Sequence, residues 1–577
     1  MDTGHRFLAS QQSVLKASRK KMVSDPIHEL IELSPFAVNV IDTPEFQRLR
    51  DLRQLGSTCY VFPSADHTRF SHSLGVYHLA KKALEGLQSR QPELEINTRD
   101  MECVTLAGLT HDLGHGPYSH LFDQFMRRRD PKWSHERCSG LLLDRLLTEN
   151  NLWDRVENTG ADVKFVQTLI KGNIEDAPNE KRFLFDIVAN QTNSLDVDKL
   201  DYLARDAYSL NIRQTPNTTR LLEHARVFPE SSNQWSPICY HHKVAWDAFQ
   251  VYHMRYSLFR QVYTHGVVKV IDTMLMDAFK AADKVMRLTE GAMDIGTYST
   301  MTDCIVRDIE RHPNPTGDAG MAKAQVILAK VRRRQLYFSV LEVTVGVKSK
   351  GSTALSQMTE AEIVDGIVKT SIADGSPVPS AIVYVTKTKL DMAMKEQNPV
   401  NHMLFWSWSQ HEPFRLKGEQ VSLVIPGQFQ EVVVQILTSS NDQLVRDSVR
   451  SAAAKFIESC DEGSRLKPTL AQCTPKNKMV TGDSRRDMAH VNPRNLFQTK
   501  LKITTNEIKR PRLDSSVNLD EAEIEADIAR SPPMTPGLDD ETAMPTESAS
   551  VWRPGSTRGN RVLTAAQVPS AFNTPVR

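Results

Sequence analysis

The sequence predicts a mainly α-helical fold, followed by a smaller α+β lobe and a disordered tail. Residues 21–290 carry apolar side chains at helical spacing almost throughout, with breaks at glycine and proline. Further along, runs rich in β-branched residues begin at Leu336, Ala381 and Glu431. The last hundred or so residues are rich in serine, threonine, proline and acidic side chains and lose the apolar periodicity, which is typical of disorder.

These changes in pattern divide the chain into four segments. We expect a flexible N-terminus, a helical domain, an α+β lobe and a disordered tail over residues 1–20, 21–290, 291–475 and 476–577. At 577 residues, the chain is long enough for two or three domains with substantial cores.

Composition excludes several classes of protein. The formal net charge is +1, so we expect no strong overall attraction to nucleic acid or to a membrane surface. The seven cysteines show neither paired metal-ligand spacing nor a disulfide framework, which favours free thiols in a reducing compartment. The N-terminus lacks the apolar segment of a secretion signal, and no apolar run is long enough to cross a bilayer. We therefore expect a soluble intracellular protein with no membrane partner.

The densest cluster of reactive side chains is the segment HDLGHGPYSH, residues 111–120. It follows an apolar run that predicts a buried helix, which Gly114 and Gly116 would end. His111 and Asp112 would then occupy the last helical turn, where the helix dipole favours a cation. Imidazole and carboxylate groups together are a ligand set for a divalent ion that acts as a Lewis acid.

Two other segments place polar side chains on one helix face. In DHTRFSHSLGV, Arg69 and His72 are three residues apart, so both can point into one cavity. In LDVDKLDYLARD, the residues of one polar face are Asp198, Tyr202 and Asp206, with Lys199 beside them. Such a face is suited to holding a metal and phosphates together.

A short helix near residue 44 is predicted to be capped by Asp42, and Gln47 and Arg50 then lie on adjacent turns and face one way. In a longer helical pattern from residue 246 to about 285, Arg255 and Tyr263 are eight residues apart, which places them on one face.

With these segments in order, the chain resembles the HD-domain phosphohydrolases, and within them the SAM- and HD-domain deoxynucleoside triphosphate triphosphohydrolases. The motifs that carry the resemblance are IDTPEFQRLR, YVFP, RFSHSLG, HDLGHGPYSH, DVDKLDYLARD and KEQNPVNH. The match runs from about Lys21 to Thr474 and implies a helical HD domain with a regulatory, oligomerisation lobe. Because the matching part begins almost at once, we expect a form without the SAM domain.

The resemblance implies roles residue by residue at the active site. The implied metal ligands are His72, His111, Asp112 and Asp198. Contacts to a triphosphate are implied for Arg69, Lys199, Tyr202 and Arg255. The deoxyribose would contact Gln54, Leu55, Asp206 and Tyr263. The catalytic groups around the scissile phosphate would be His115, His120, His135 and Asp196.

The resemblance also implies two activator sites. An activating GTP would contact Lys21, Met22, Asp42, Gln47 and Arg50. A second, deoxynucleotide activator would contact Val61, Phe62, Arg220, Lys243, Asp247 and His265. Binding of GTP and dNTP would drive assembly of a homotetramer.

The chain departs from the family pattern at four positions. In the active-site motifs, Ser71 and Thr264 stand where the family has glutamate and glutamine. At the second activator site, Gly266 and His241 stand where it has lysine and arginine. These departures weaken the prediction of the second activator site and leave the catalytic set intact.

The implied reaction is hydrolysis of a dNTP to deoxynucleoside and inorganic triphosphate. A triphosphate carries about four negative charges, so its pocket needs several cations and a metal. A zinc, iron or manganese ion is implied at the HD centre, with Mg²⁺ on the nucleotide phosphates. A histidine–carboxylate pair would move protons to water or to the leaving group, and Leu55 and Tyr263 would leave no room for a 2′-hydroxyl.

Two other functions stay open at this point. One is an HD phosphohydrolase that acts on a different nucleotide, such as a monophosphate or a guanosine alarmone. The other is a single-stranded nucleic-acid-binding protein that retains the HD shell, although the chain has no stretch of interleaved basic and aromatic residues. Asp201 and Arg205 are assigned to surface or fold-stabilising ion pairs and not to the site.

The tail carries two kinds of signal. Lys509–Arg512 (KRPR) is a basic cluster of the nuclear-import type, which predicts nuclear localisation. Three Thr-Pro sites, at Thr474, Thr535 and Thr574, are candidates for a proline-directed kinase, and Thr474 is the favoured one.

Overall fold

The structure is a computed structural model that describes residues 20–177, 180–231, 234–347, 354–460 and 467–468. All of these residues belong to one unit of the chain, Met1–Met479. The predicted import cluster Lys509–Arg512 and the three Thr-Pro sites lie outside the described residues, as does nearly all of the predicted N-terminal segment.

Helices build the larger of two hydrophobic cores, which confirms the predicted mainly helical fold. The helices that position the site are α1 (Arg69–Arg90), α2 (Thr98–Thr110), α3 (His120–Arg127), α4 (His135–Glu149), α5 (Val197–Ser209) and α6 (Ala245–Leu258). The same part of the chain also contains the helices Pro35–Ile41, Pro44–Gln47, Trp153–Thr159, Val163–Lys171, Phe185–Val188, Thr218–Glu223, Gly266–Met286, Leu288–Met293, Ile295–Tyr298, Ile305–Arg311 and Ala319–Arg332. Short 3₁₀ turns include Arg48–Asp51, Gly56–Tyr60 and His242–Val244.

Local sequence explains where the site helices begin. The side chain of Asn97 accepts from the backbone N–H of Asp100, and the carboxylate of Asp100 accepts from that of Asn97, so a capping box starts α2. Asp196 caps α5 by accepting from the N–H of Lys199 at 3.0 Å. Because the apolar run of α2 is buried, His111 at its C-terminus emerges inside the protein.

Short strands add to this helical core. Lys21–Asp25 and Glu29–Leu33 form an antiparallel hairpin. A four-stranded sheet has the order Gln410–Phe414, Leu404–Ser407, Cys239–His241 and Ala225–Arg226, and its two middle strands are parallel. A second hairpin pairs Pro229–Ser231 with Gln234–Trp235.

The smaller α+β lobe is also confirmed. Its antiparallel sheet has the order Lys467–Pro468, Phe338–Gly346, Gln430–Thr438 and Val383–Asp391. Helices Glu360–Ala373 and Gln443–Cys460 pack on this sheet and bury a second core made largely of valine and isoleucine. The short helices Ala354–Gln357 and Gly418–Val421 complete the elements of this region.

Two predicted boundaries differ from the structure. The helical core continues past residue 290 to Val331, because helix Ala319–Arg332 packs along Gly266–Met286. The single long helix predicted from residue 246 is interrupted by a π-helical turn, Phe259–Tyr263, which separates α6 from the next helix. Among the described residues, no helix has both the length and the apolar character needed to cross a bilayer.

Candidate metal centre and active site

Three helices bring the four predicted metal ligands together. His72 lies in the first turn of α1, and Asp198 lies in the first turn of α5. His111 and Asp112 were predicted to lie in the last turn of α2, but the helix ends at Thr110. His111 is its C-terminal cap residue, and Asp112 follows in a turn. Nε2 of His72 is 3.1 Å from Oδ1 of Asp198 and 3.6 Å from Oδ2 of Asp112. Nε2 of His111 is 3.4 Å from Oδ1 of Asp198 and 3.5 Å from Oδ1 of Asp112.

The other imidazole nitrogens are held so that each Nε2 faces the centre. Nδ1 of His72 is 2.7 Å from Oδ2 of Asp201, and Nδ1 of His111 is 2.8 Å from the carbonyl oxygen of Gly108. Nε2 of His111 is buried and makes no hydrogen bond within the described ranges of the chain. A buried ring nitrogen left unpaired beside two carboxylates has the arrangement of a metal ligand whose second nitrogen is fixed from outside. Two imidazoles and two carboxylates therefore fit a divalent metal ion.

Both carboxylates are anionic in this environment. Burial raises the pKa of Asp112, but Arg69 and His111 outweigh it and hold that pKa well below its usual value. Burial likewise raises the pKa of Asp198, and the imidazoles of His111 and His72 outweigh it, so this pKa is lowered too. The centre thus presents deprotonated carboxylate ligands, as a bound cation requires.

Asp201 contacts the nitrogen of His72 that faces away from the candidate metal centre, a contact that sequence reasoning missed. Its side chain is fully buried, and its carboxylate contacts Nδ1 of His72, Nε2 of His28 and the guanidinium of Arg205. Arg205 also donates to Asp25 at 2.9 Å. Asp201 and Arg205, which the sequence assigned to surface or fold-stabilising ion pairs, pair with each other in the interior, as the fold-stabilising alternative requires. The position of Asp201 three residues after a metal ligand on one helix face is the signal that could have found it.

A second cluster joins the histidines predicted to lie at the scissile phosphate. The rings of His115 and His135 are stacked with centroids 3.8 Å apart, and the ring of His120 is 5.0 Å from that of His115. Oδ2 of Asp123 is 2.8 Å from Nδ1 of His135 and 3.7 Å from Nδ1 of His120. Nε2 of His115 is 3.2 Å from Oδ1 of Asp112, so this cluster adjoins the metal ligands. Sequence reasoning missed Asp123, although its spacing of three residues from His120 on α3 was a signal.

The histidines of this cluster differ in proton affinity. Burial, with Arg69 and His135 nearby, lowers the pKa of His115 well below its usual value. Burial also lowers the pKa of His135, but the hydrogen bond to Asp123 outweighs it and raises this pKa overall. Burial raises the pKa of Asp123, while its contacts with His120 and His135 outweigh that effect and lower it. Two stacked imidazoles, one with a lowered and one with a raised pKa, are suited to accept and to donate protons in the same reaction.

Arg69, which is buried, and Lys199, which is partly buried, place two cations beside the predicted metal ligands. Arg69 donates through Nη1 to Asp112 and through Nε to Oγ of Ser119 at 2.9 Å. Nζ of Lys199 is 3.2 Å from Oδ2 of Asp196, the predicted catalytic carboxylate that caps α5. Burial lowers the pKa of Lys199, but Asp196 outweighs it and raises this pKa, so the ammonium stays charged. Burial raises the pKa of Asp196.

Tyr202 and Arg255 complete the predicted triphosphate set. Tyr202 lies one turn beyond Asp198 on α5 and is half-buried. Arg255 lies on α6, and its charge is close enough to Lys199 and Tyr202 to act on the pKa values of both. The structure therefore brings the four predicted triphosphate contacts to one region.

The residues predicted to contact deoxyribose lie next to the predicted triphosphate contacts. The hydroxyl of Tyr263 donates to Oδ2 of Asp206, and Oδ1 of Asp206 is 2.7 Å from Nε2 of His67. The N–H of Gln54 donates to the carbonyl oxygen of His67 at 3.0 Å, and Oε1 of Gln54 is buried without a partner among the residues that the structure describes. Leu55 is half-buried next to it. His67 was missed, and no spacing in the sequence links it to Asp206.

The backbone between the metal ligands and α3 is strained. Tyr118 and Ser119 have φ angles of 58° and 57°, in the left-handed region that side chains other than glycine rarely adopt. The hydroxyl of Ser119 accepts from Arg69, and the N–H of Tyr118 donates to Oδ1 of Asp303 at 2.6 Å. These bonds fix the turn that leads into His120.

The residues predicted to read GTP form two contacting pairs near the protein surface. Nζ of Lys21, on the first hairpin, is 4.0 Å from Oδ1 of Asp42. Nε of Arg50 donates to Oε1 of Gln47 at 2.7 Å. Met22 follows Lys21 on the same strand and is exposed.

The local structure around Asp42 differs from the prediction. Asp42 is the C-terminal cap residue of helix Pro35–Ile41. The N-cap of the next helix is Thr43, because its hydroxyl accepts from the N–H of Phe46. Asp42 therefore lies in the junction between two helices and not on the helix face that precedes Arg50.

The residues predicted for the second activator fall into two groups. The rings of Phe62 and His265 are 5.6 Å apart in an edge-to-face arrangement, and Val61 precedes Phe62. Nη1 of Arg220 is 2.9 Å from Oδ2 of Asp247, and Nη2 of Arg220 donates to the carbonyl oxygen of Lys243 at 3.5 Å.

The two residues that depart from the family pattern at the second activator site both pack closely against neighbouring side chains. His241 is buried with its ring 4.5 Å from that of Trp406, and burial lowers its pKa. A Cβ at Gly266 would lie 3.1 Å from Nε2 of Gln435. Neither position supplies a fixed cation for a nucleotide phosphate.

Comparison with known proteins decides the family. The family model of the HD domain matches residues 69–206. The chain is 35% identical over 487 residues to deoxynucleoside triphosphate triphosphohydrolase SAMHD1 of Gallus gallus, with 78% of this chain and 76% of the relative covered. Identity is also 35% to SAMHD1 of Homo sapiens (78% and 74% covered) and to the SAMHD1 homolog of Dictyostelium discoideum (77% and 82% covered). The chain belongs to the SAMHD1 family.

Membership in the SAMHD1 family confirms the resemblance read from the motifs and makes the chain an enzyme with an HD hydrolase domain. The HD match begins at Arg69 and ends at Asp206, so it contains all four predicted metal ligands and the histidine cluster. The residues predicted to bind activators, near Asp42 and Arg220, lie outside that match.

Proposed function

We propose that this SAMHD1-family enzyme hydrolyses deoxynucleoside triphosphates to a deoxynucleoside and inorganic triphosphate. The observation that carries the proposal is a row of cations beside the two-histidine, two-carboxylate centre: Arg69 pairs with Asp112, Lys199 is close enough to Asp198 for that carboxylate to raise its pKa, and Arg255 is close enough to Lys199 to lower it. Three cations beside a divalent ion match the charge of a triphosphate better than that of a monophosphate. The printed names of the relatives describe the same activity.

The metal centre and the cations have separate tasks in this proposal. A divalent ion (zinc, iron or manganese) held by His72, His111, Asp112 and Asp198 would supply Lewis-acid polarisation of the phosphoryl group. Arg69 and Lys199 bind and orient the phosphate chain, with Mg²⁺ as its counterion. Tight orientation is itself a large part of catalysis in phosphoryl transfer.

The histidine cluster moves protons. Attack by water on the α-phosphorus breaks the bond to the 5′ oxygen of the sugar, and that oxygen must gain a proton as it leaves. The imidazole of His135 is the donor, since its contact with Asp123 favours its protonated form. The neutral ring of His115, next to Asp112, is suited to accept a proton from water.

In this proposal, the residues around Asp206 select the sugar. Asp206 and the unpaired Oε1 of Gln54 offer acceptors to a 3′-hydroxyl. Tyr263 and Leu55 close the other side of the sugar. A wall that merely excludes a 2′-hydroxyl discriminates by about 10²-fold, so close packing of Tyr263 is needed for more.

Product analysis tests the proposal and separates it from the alternatives. The purified full-length protein is incubated with the four dNTPs, Mg²⁺ and GTP, and products are resolved by anion-exchange chromatography. We expect intact inorganic triphosphate and deoxynucleoside in equal amounts. Release of pyrophosphate or orthophosphate, or turnover of monophosphates alone, would show a different HD phosphohydrolase. Binding of single-stranded nucleic acid without any turnover would favour the nucleic-acid-binding alternative.

We further propose that GTP activates the enzyme by driving tetramer assembly. Asp42 can accept from N1–H and the amino group of guanine, while Gln47 and Arg50 can donate to its oxygen and ring nitrogen. Lys21 supplies charge for the phosphates. Adenine presents the opposite pattern at the same edge, and each mismatched buried polar contact costs about 1–3 kcal/mol, so ATP should not replace GTP. A deoxynucleotide at the second activator site would support the assembly less strongly, because Gly266 and His241 supply no cation.

Nuclear localisation through Lys509–Arg512 and phosphorylation at Thr474 by a proline-directed kinase are proposals of the same kind, based on sequence alone. A triple alanine variant of Lys509, Arg510 and Arg512 should lose nuclear accumulation in cells. Unchanged nuclear localisation of that variant would exclude the import role.

A further inference from the structure

One strand of the α+β lobe ends at the predicted triphosphate site. Strand Val383–Asp391 terminates beside α6, where Nη1 of Arg255 donates to both the backbone oxygen (2.6 Å) and Oδ1 (3.0 Å) of Asp391. Both side chains are largely buried, at 17% exposure each, so water competes only weakly for this contact. Asp391 is 136 residues from Arg255 in sequence and lies on a strand of the lobe sheet, whereas the predicted metal ligands lie on or next to helices.

Asp391 is itself held in place from both sides. Its Oδ1 accepts from the N–H of Ala393 at 2.8 Å, and its Oδ2 accepts from Nε2 of Gln430 at 3.2 Å. Gln430 is also its register partner in the sheet. The next residue, Met392, is buried in the helical core. The carboxylate is therefore fixed by the sheet of the lobe on one side and by the helical core on the other.

The remaining nitrogens of Arg255 are free to bind an anion. Within the described part of the chain, neither Nε nor Nη2 of Arg255 makes a hydrogen bond. The guanidinium packs over the ring of Phe259, with its carbon 4.2 Å from the ring centroid. One nitrogen held by Asp391 and one face held by Phe259 leave a single edge for a ligand, and two N–H groups on one edge match a phosphate.

We propose that Asp391 is a positioning residue for the triphosphate, which acts by holding Arg255 so that its free edge faces the substrate. This inference rests on the proposed function and extends it to the α+β lobe. A long arginine side chain that is already fixed loses less conformational freedom when the phosphate binds, so affinity for substrate rises. Any movement of the α+β lobe relative to α6 then changes substrate affinity through this one contact.

A double-mutant cycle tests the proposal. Steady-state constants for one dNTP, with GTP present, are measured for the wild type, Asp391→Ala, Arg255→Ala and the double variant, all as full-length protein. We expect Asp391→Ala to raise KM about tenfold, which corresponds to about 1.4 kcal/mol, with a smaller change in kcat. In the Arg255→Ala background, the same substitution should change KM by less than about twofold, because Asp391 then has nothing to position.

Two further variants separate positioning from folding. Both variants keep the backbone carbonyl that Arg255 contacts, but Asp391→Asn also keeps a side-chain acceptor oxygen, so it should recover part of the affinity that Asp391→Ala loses. Lys389→Ala, two residues earlier on the same strand, should leave KM unchanged. Melting temperatures of all variants are recorded beside the kinetics, since a purely structural role would lower stability and leave the KM-to-kcat balance as it was.

The outcomes are distinct. An equal effect of Asp391→Ala with and without Arg255, or an increase in activity on its removal, would overturn the proposal. Calorimetric binding of inorganic triphosphate provides a readout that does not need turnover. If the wild type releases no triphosphate from dNTPs, the proposed function fails, and weaker triphosphate binding by Asp391→Ala would still support the positioning role. Unchanged binding of inorganic triphosphate by Asp391→Ala would contradict it.

Discussion

Nδ1 of His72 lies 2.7 Å from Oδ2 of Asp201, so a fully buried carboxylate holds this imidazole with its other nitrogen toward the metal ligands. Such an outer carboxylate fixes the tautomer of a ligating histidine and raises its basicity. The metal centre is thus supported by a residue that would not itself touch the ion.

The first prediction concerns this support. Asp201→Asn should lower metal affinity by about 10- to 100-fold, because the amide holds His72 less well and carries no charge. Metal affinity is measured by competition with a chromophoric chelator, and bound metal by elemental analysis. Wild-type affinity in a folded Asp201→Asn protein would contradict the assignment.

A matched control is Asp25→Asn. Asp25 is the other carboxylate that Arg205 contacts, at 2.9 Å, and Asp25 is likewise buried. This variant should destabilise the protein through the same arginine and leave metal affinity unchanged, since Asp25 makes no contact with His72 among the described residues.

The second prediction concerns the histidine cluster. Asp123→Asn should lower kcat by about 10²-fold or more, because the pKa of His135 falls when its anionic partner is lost, while bound metal should stay the same. The control is Glu136→Gln, which changes the partner at Nε2 of His135, 3.3 Å away and partly exposed. This variant should have a much smaller effect on kcat. Equal kcat values for the wild type and Asp123→Asn would rule out the proton-transfer role.

The third prediction concerns pH and stability. Burial raises the pKa of Asp186 to about 7, although the N–H of Ile238 donates to it at 2.8 Å. Between pH 4 and 7 the unfolded chain releases this proton while the folded protein keeps it, so stability falls as pH rises and levels off above pH 7. Asp186→Asn has no carboxyl group to ionise at this position, so this fall in stability with pH should disappear.

Urea unfolding at pH 5 and pH 8 tests the linkage. The free energy of unfolding of Asp186→Asn minus that of the wild type should be larger at pH 8 than at pH 5, by on the order of 2–3 kcal/mol. A difference that is the same at both pH values would show that Asp186 ionises normally in the folded state.

The fourth prediction concerns the effector. Asp42→Ala should keep its metal but lose GTP-induced tetramers and GTP-stimulated hydrolysis, because the guanine loses its acceptor. Asp51→Ala, at an exposed position at the end of the 3₁₀ turn that contains Arg50, serves as the control and should respond normally. Light scattering coupled to sizing chromatography, run beside the triphosphate assay, measures both effects. A full response of Asp42→Ala to GTP would show that guanine is not read there.

Much of the fold could be predicted from the sequence because the signals are local, and the resemblance of the motifs to a known family implied the complete metal set. His111 and Asp112 are adjacent and follow an apolar run, and Asp198 lies in an amphipathic helix whose period is visible. The three long strands of the α+β lobe were visible as β-branched runs for the same reason.

The missed features depend on distant contacts. Asp391 meets Arg255 only because a sheet edge reaches α6, and nothing near either residue marks the pair. The sequence around Phe259–Tyr263 has helical propensity throughout, so the π-helical turn there depends on tertiary packing and not on local sequence. Asp201 was missed for another reason, since a buried ion pair and a metal support look alike in sequence.

Triphosphate release by wild type and by Asp198→Ala shows whether hydrolysis takes place at this metal centre. Asp198 contacts both ligand histidines, so its loss should remove bound metal and lower triphosphate release to the uncatalysed background, while circular dichroism stays that of a folded protein. Asp308→Ala, which removes an exposed aspartate from the first turn of another helix, should behave as wild type. A folded Asp198→Ala protein that still releases triphosphate at a tenth or more of the wild-type rate would contradict the assignment of the reaction to this centre.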